Sequence, residues 1–221
     1  MKLQTKIAYS VGLIAIGAIG FGAALSVAKP VAKAEVASPF FAPATAKDIA
    51  SQPSGSYGSE PTHTSVYFKY GHQGYSVYVA RFDKVNIDLN FDAKSPTKSS
   101  VNANIETASV STGLPSFDKE MADKFFLGQA NPTITFKSTK LVQTGAASGK
   151  MTGDLTFRGV TKPVTLDVTF NKGGIHMFAK KPVLGFSAHG FVNRSDFGFA
   201  DYIPYITDKV EISIEAEMIQ K

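Results

Sequence analysis

From Thr64 to the C-terminus the dominant pattern is a period of two. Val85, Ile87, Leu89 and Phe91 alternate with Asn86, Asp88, Asn90 and Asp92. The same alternation recurs at Val101, Ala103 and Ile105, at Ile134 and Phe136, at Leu155 and Phe157, at Val164, Leu166, Val168 and Phe170, and at Val210, Ile212, Ile214, Ala216 and Met218. Successive side chains of a strand point to opposite faces, so each run predicts a strand with one wet and one dry face. Turn chemistry separates the runs at residues 71–74, 95–96, 145–149, 159–163 and 173–174. Eight or nine strands result, mostly antiparallel. A closed barrel would remove their unpaired edges, but periodicity alone leaves a sandwich equally open.

One segment departs from this rule. Residues 116–126 (SFDKEMADKFF) put Phe117, Met121, Lys124 and Phe125 at helical spacing, with Ser116 as N-cap after Pro115 and Asp118 in the first turn. A short helix is expected there, plugging or flanking one end of the sheet.

The N-terminus reads differently. Lys2 and Lys6 precede an uncharged run from Ile7 to Ala28, and Ala32-Lys33-Ala34 has the small-x-small form of a cleavage site. Residues 1–34 are expected to be a signal peptide cleaved near Ala34, which makes the protein periplasmic or secreted. A leader left uncleaved as a membrane anchor is the alternative, because the run approaches the ~20 residues of a spanning helix. Residues 35–56, with Pro39, Pro43, Pro53 and Gly55, read as a flexible linker. The remainder, 57–221, suits one domain.

Composition narrows the classes of function. Residues 1–34 carry four Lys and no acid, so removing them takes the net charge from +5 to about +1. The basic character belongs mostly to the leader, and nucleic acid is not expected as a partner. With no cysteine in the chain, no disulfide supports the fold and no thiol serves as nucleophile. Neither a Gly-x-Ser-x-Gly elbow nor a phosphate-cradling loop nor a dinucleotide fingerprint occurs. His63, His72, His176 and His189 lack zinc-site spacing, and neither a metal nor a catalytic residue is expected.

Two places keep chemical interest. His72 ends the alternating series Val66, Phe68, Tyr70, His72, so it should point inward near a strand end, as a polar contact to a ligand or as a hydrogen-bonded turn residue. Arg194 and Asp196, read as two apart on a strand, would share a face and form an ion pair or hold a charged group between them. Arg158 reads as a turn residue. Phe68, Phe82, Phe91, Phe136, Phe157 and Phe170 all sit on the dry parity, where they make either a filled core or the lining of an apolar tunnel.

Residues 153–170 (GDLTFRGVTKPVTLDVTF) and 185–199 (GFSAHGFVNRSDFGF), preceded in order by Tyr57, His63-Thr64, Val66, Phe68, His72, Ser76, Phe82, residues 109–113, Asp118 and residues 131–138, resemble the YceI-like family of lipid-binding proteins. The resemblance runs from about Tyr57 to the C-terminus. It implies an all-β fold, a single antiparallel lipocalin-like barrel of eight to nine strands. It also implies a non-enzymatic binder whose ligand is an isoprenoid lipid or quinone, with a fatty acid or fatty amide as the variant and no other cofactor. The tail would be held by Val66, Phe68, Tyr70, Phe82, Ile134, Phe136, Leu155, Phe157, Leu166, Val168 and Phe186, and the head group by His72, Arg194 and Asp196. Burying a chain in protein gains ~0.8 kcal/mol per CH₂ relative to water but little relative to a bilayer. Transient membrane contact is therefore expected, and family analogy adds a homodimer. An enzyme working in the same cavity through His72 and Asp196, and an adaptor with a filled core, are the competing readings.

Overall fold

The computed structural model describes Phe40 and residues 42–221. The leader expected over 1–34, and its cleavage, lie outside the described residues. The unit that carries the fold spans Ala37–Lys221.

Eleven strand segments follow a short helix, α1 (Ala46–Ala50): β1 (Gly55–Ser59), β2 (Ser65–His72), β3 (Ser76–Phe82), β4 (Val85–Phe91), β5 (Ser100–Glu106), β6 (Val110–Ser111), β7 (Thr133–Gln143), β8 (Ser148–Phe157), β9 (Val160–Ile175), β10 (Pro182–Asn193) and β11 (Lys209–Gln220). A second helix, α2 (Pro115–Glu120), lies between β6 and β7. Every pairing is antiparallel, and β1-β4-β5-β7-β8-β9-β10-β11 closes on itself through β1 and β11. The fold is a closed eight-stranded barrel, as the resemblance implies.

The remaining three segments extend three of those passes. β11 receives β1 at Met218 to Gln220 and β2 at Glu211 to Glu215, so β1 and β2 are one run broken by the turn at 60–64. β3 continues into β4, and β5 into β6 across the 3₁₀ turn Thr107–Ser109. Beyond β6 no strand follows on that edge among the described residues, and α2 occupies the gap.

This helix begins two residues earlier than its sequence suggests. Pro115 is its first residue and Leu114 its N-cap, so Ser116 does not cap it. Asp118 instead accepts bonds from the Thr112 amide and hydroxyl, both at 2.6 Å. At Met121–Phe125 the chain widens into a π turn, with the Phe126 amide donating to the Met121 carbonyl at 2.8 Å. Single π turns insert an extra residue, and here Phe126 becomes buried beside Met121 and Ala122.

Three further expectations need correction. The linker is not irregular throughout: Thr45 and Asp48 form a reciprocal cap on α1, and Ile49 is buried with Tyr57, Phe91, Phe170 and Met218. Residues 173–174 are not a turn but lie within β9, whose hairpin reverses at 176–181. Pro163 also lies within β9, opposite Asp154 of β8, where pairing with β10 has not yet begun. A residue without an N–H is tolerated there because only one neighbour needs hydrogen bonds. The break that does exist is the two-residue loop Arg158-Gly159, with φ of 52° and 76°. Two consecutive positive φ values make the tight hairpin turn whose twist matches the strands.

Candidate lipid cavity

The dry faces of the barrel enclose a cavity of about 810 Å³, toward the upper end of the ~300–1,000 Å³ usual for small-molecule sites. Its middle is apolar: Val66, Phe68 and Tyr70 of β2, Phe82 of β3, Ile134 and Phe136 of β7, Leu155 and Phe157 of β8, Leu166 and Val168 of β9 and Phe186 of β10 all line it. These are the eleven residues that the alternation and the resemblance marked as tunnel wall. A filled core is thereby excluded. The side chains reach one surface because they share a parity on neighbouring strands, as in the pairs Val66–Phe82 and Phe136–Leu155.

The two ends differ. At the α1 end, Ile49, Pro96, Thr97, Ala146 and Ala147 border the space, above the cross-strand pair Phe170–Phe186, whose rings are 5.5 Å apart. At the α2 end the π turn brings Phe126 within 5.9 Å of Phe68, 5.9 Å of Phe82 and 5.1 Å of Phe157. There the loop after β10 folds over the opening. Phe199, Asp201, Tyr202, Tyr205 and Ile206 join the wall, and His72 bridges to Ile206 in the sheet.

Sequence reading paired Arg194 with Asp196 on a strand face, and the structure separates them. Arg194–Phe197 is a 3₁₀ turn, not a strand. Arg194 is 4% exposed and lines the cavity, whereas Asp196 is exposed and lies outside the cavity wall. A turn with about three residues per revolution cannot keep i and i+2 on one side, as a strand does. This also removes the acid–base pair of His72 and Asp196, since only His72 borders the cavity.

Arg194 is held by backbone carbonyls. Its Nε donates to the Thr207 carbonyl at 2.9 Å, Nη1 to Phe199 at 3.2 Å and Nη2 to Ile206 at 3.0 Å. Arg194 makes no ion pair among the described residues; burial lowers its pKa, while Asp208, Asp201 and Tyr70 act the other way. Three of the five guanidinium N–H groups are used, leaving two. Beside it, Tyr70 stacks on Tyr78 at 5.0 Å. Burial pushes the Tyr70 phenol up to about 12, Tyr78 adds to this and Arg194 opposes it. Tyr70 is therefore a neutral hydroxyl next to a cation.

Residues 57–218 match the YceI-like domain. The chain belongs to that family. It is similar to a UPF0312 protein of Pseudomonas savastanoi pv. phaseolicola, at 35% identity over 163 residues that cover 73% of this chain and 84% of that protein. Among solved structures it is similar to a YceI protein of Campylobacter jejuni, with 29% identity, a TM-score of 0.61 and coverage of 68% and 90% of the two chains. A polyisoprenoid binding domain from Saccharophagus degradans shares the fold at 11% identity and a TM-score of 0.57, covering 76% of this chain and all of that one.

Outside the YceI-like cavity, the described residues bring one other ligating group together. Glu60, His63 and Glu217 hold their ligand atoms within 4.8 Å of one another. Glu60 is already engaged, accepting from the amides of Thr62 at 3.1 Å and His63 at 2.8 Å and from the Thr62 hydroxyl at 2.7 Å. His63 Nδ1 lies 2.7 Å from the same carboxylate. The cluster clamps the turn between β1 and β2. Among the described residues no helix is long and apolar enough to cross a membrane.

Sequence reading missed Ile49, Phe126, Phe199, Tyr202, Tyr205 and Ile206 as wall residues. For Ile49 a signal existed: Thr45 and Asp48 have the spacing of a reciprocal helix cap immediately before it.

Proposed function

We propose that this protein is an exported carrier that holds the apolar chain of an isoprenoid lipid or quinone inside its barrel. The carrying observation is the cavity itself, apolar along its length and ended on one side by the buried Arg194 guanidinium and the Tyr70 hydroxyl. The tail lies against the eleven wall residues, and the head group meets Arg194, Tyr70 and His72 at the α2 end. Asp196 has no part. The Saccharophagus degradans domain of the same fold, described as polyisoprenoid binding, supports this ligand class.

Physical chemistry favours a carrier over a trap. Each buried CH₂ gains ~0.8 kcal/mol over water, yet a bilayer offers nearly the same gain. The barrel therefore exchanges its lipid with membranes, and the head-group contacts bias which lipid it takes. A fatty acid is the second reading, favoured by the two guanidinium N–H groups of buried Arg194 beyond the three that carbonyls hold.

Native mass spectrometry of gently purified protein tests this. A bound lipid of defined mass is expected, and that mass separates a prenyl chain from a fatty acid. An empty barrel after expression in a lipid-replete host overturns the reading. N-terminal sequencing of the exported protein tests cleavage near Ala34, and an intact Met1 would leave the leader as an anchor.

A further inference from the structure

The hairpin between β9 and β10 leaves the barrel with an apolar tip. Ile175, Met177 and Phe178 are 66%, 70% and 84% exposed. The hairpin rises from the cavity wall: Phe170 pairs with Phe186, both lining the cavity, and the ladder continues to Ile175–Pro182, roughly 17 Å further at ~3.3 Å per residue. A register shift beside Phe186 leaves Asn171 as an extra residue, and Asn171 Nδ2 donates to Ser187 Oγ at 2.8 Å. Bulges bend a strand and re-aim what lies beyond. Val183–Ile219 is the last pair joining the hairpin to β11, so the turn at 176–181 stands clear of the wall.

The turn is braced from within. His176 Nδ1 accepts from the amides of Phe178 at 3.3 Å and Ala179 at 3.0 Å. The Lys180 amide donates to the His176 carbonyl at 2.9 Å, and the His176 amide to the Lys181 carbonyl at 2.8 Å. Unsatisfied backbone is what makes a loop costly to place in lipid, and four of this loop's amides are tied within it. The exposed Met177 and Phe178 thus sit on a preformed support.

Charge selects the surface that covers them. Lys172, Lys180 and Lys181 are exposed around the tip, and no acid occurs between Asp167 and Asp196. Gln52, just past α1, packs on Gly173, and the one acid of α1, Asp48, has its carboxylate turned into its own helix cap. Apolar side chains ringed by lysines match the acyl and phosphate layers of an anionic bilayer.

We propose that the β9–β10 tip is a membrane-docking element. It seats Met177 and Phe178 at the acyl boundary of an anionic bilayer, with Lys172, Lys180 and Lys181 at the lipid phosphates. The α1 end of the cavity then faces the membrane, and lipid passes between bilayer and barrel past Ile49 and Ala147. Its purpose rests on the carrier reading; its geometry does not.

The chain has no cysteine, so a single Met177→Cys substitution carries a polarity-sensitive dye uniquely. Tyr75→Cys, in the β2–β3 turn at the opposite end, is the control. With the full chain, phosphatidylcholine vesicles containing phosphatidylglycerol are expected to blue-shift the dye at position 177 and expose it to lipid-borne quenchers, but not the dye at position 75. Reversing Lys172, Lys180 and Lys181 to Glu should weaken this entry at least about tenfold, and Phe178→Ser roughly tenfold. A dye at 177 that stays in water, or one that is buried without vesicles as protein concentration rises, overturns the proposal. The second result would mean that the tip covers another copy of this chain. A lipid-loaded protein with a tip in water sinks this inference alone, whereas an empty barrel with an inserting tip sinks the carrier reading alone.

Discussion

The guanidinium of Arg194 lies 4.7 Å from the centroid of the Phe199 ring, so its flat face is covered by an aromatic while its edge is bound to three carbonyls. Arg158 approaches the same ring at 5.1 Å. The loop after β10 is thus folded around two cations as well as the rings of Phe125 and Phe126.

Removing the first of these cations should be costly. Arg194→Met leaves the carbonyls of Thr207, Phe199 and Ile206 without their donor, and each unsatisfied buried group costs roughly 1–3 kcal/mol. We expect a loss of about 3 kcal/mol or more in urea unfolding. Arg194→Lys should fall between, because an ammonium cannot match three acceptors in one plane. A variant as stable as the parent would show that the loop is held by other contacts.

Acid stability should carry the signature of Glu60. Burial raises its pKa, but bonds from Thr62 and His63 outweigh this and bring it from 4.5 to about 2. A depressed folded-state value means that the contribution is fully present above pH 4.5 and lost as pH falls through about 2. Melting temperature should therefore drop across that window in the parent, and less steeply in Glu60→Gln. Equal slopes would assign the acid transition to other carboxylates.

Ala188 faces the cavity from β10. Enlarging it by Ala188→Phe should displace bound lipid in native mass spectra. The melting temperature should change by only a few degrees, since the new ring enters space that is already open. Undiminished lipid loading would mean that the chain does not pass this point.

A Cβ on Gly153 would stand 2.3 Å from Phe136 Cζ and 2.6 Å from the Lys137 carbonyl. Gly153→Ala should destabilise by roughly 1–3 kcal/mol through overpacking. Gly174→Ala, where nothing lies within 4 Å, should be nearly neutral. Denaturant midpoints measured side by side check the contrast.

Several elements were legible before any coordinates. The dry parity of Val66, Phe68 and Tyr70, and of Leu166 and Val168, assigns these side chains to one face because strand geometry alternates faces with a fixed period, and all five border the cavity. Irregular segments carry no such rule. Read as a strand, residues 194–196 put Asp196 beside Arg194; folded as a 3₁₀ turn, they send it into solvent. The π turn that buries Phe126, and the capped helix that sets Ile49 over the α1 end, likewise depend on short local geometries that hydrophobic periodicity does not encode.

The amino-acid sequence alone determined which residues face inward and that the inward face is rich in phenylalanine, since alternation is a local property of extended chain. It left open whether those side chains fill the interior. Tertiary structure decided that, because open volume depends on how eight curved strands close and how far opposite walls stand apart. It also decided that Arg194, the one buried charge in the wall among the described residues, is bound by backbone carbonyls from distant parts of a loop. No spacing along the chain records such a contact.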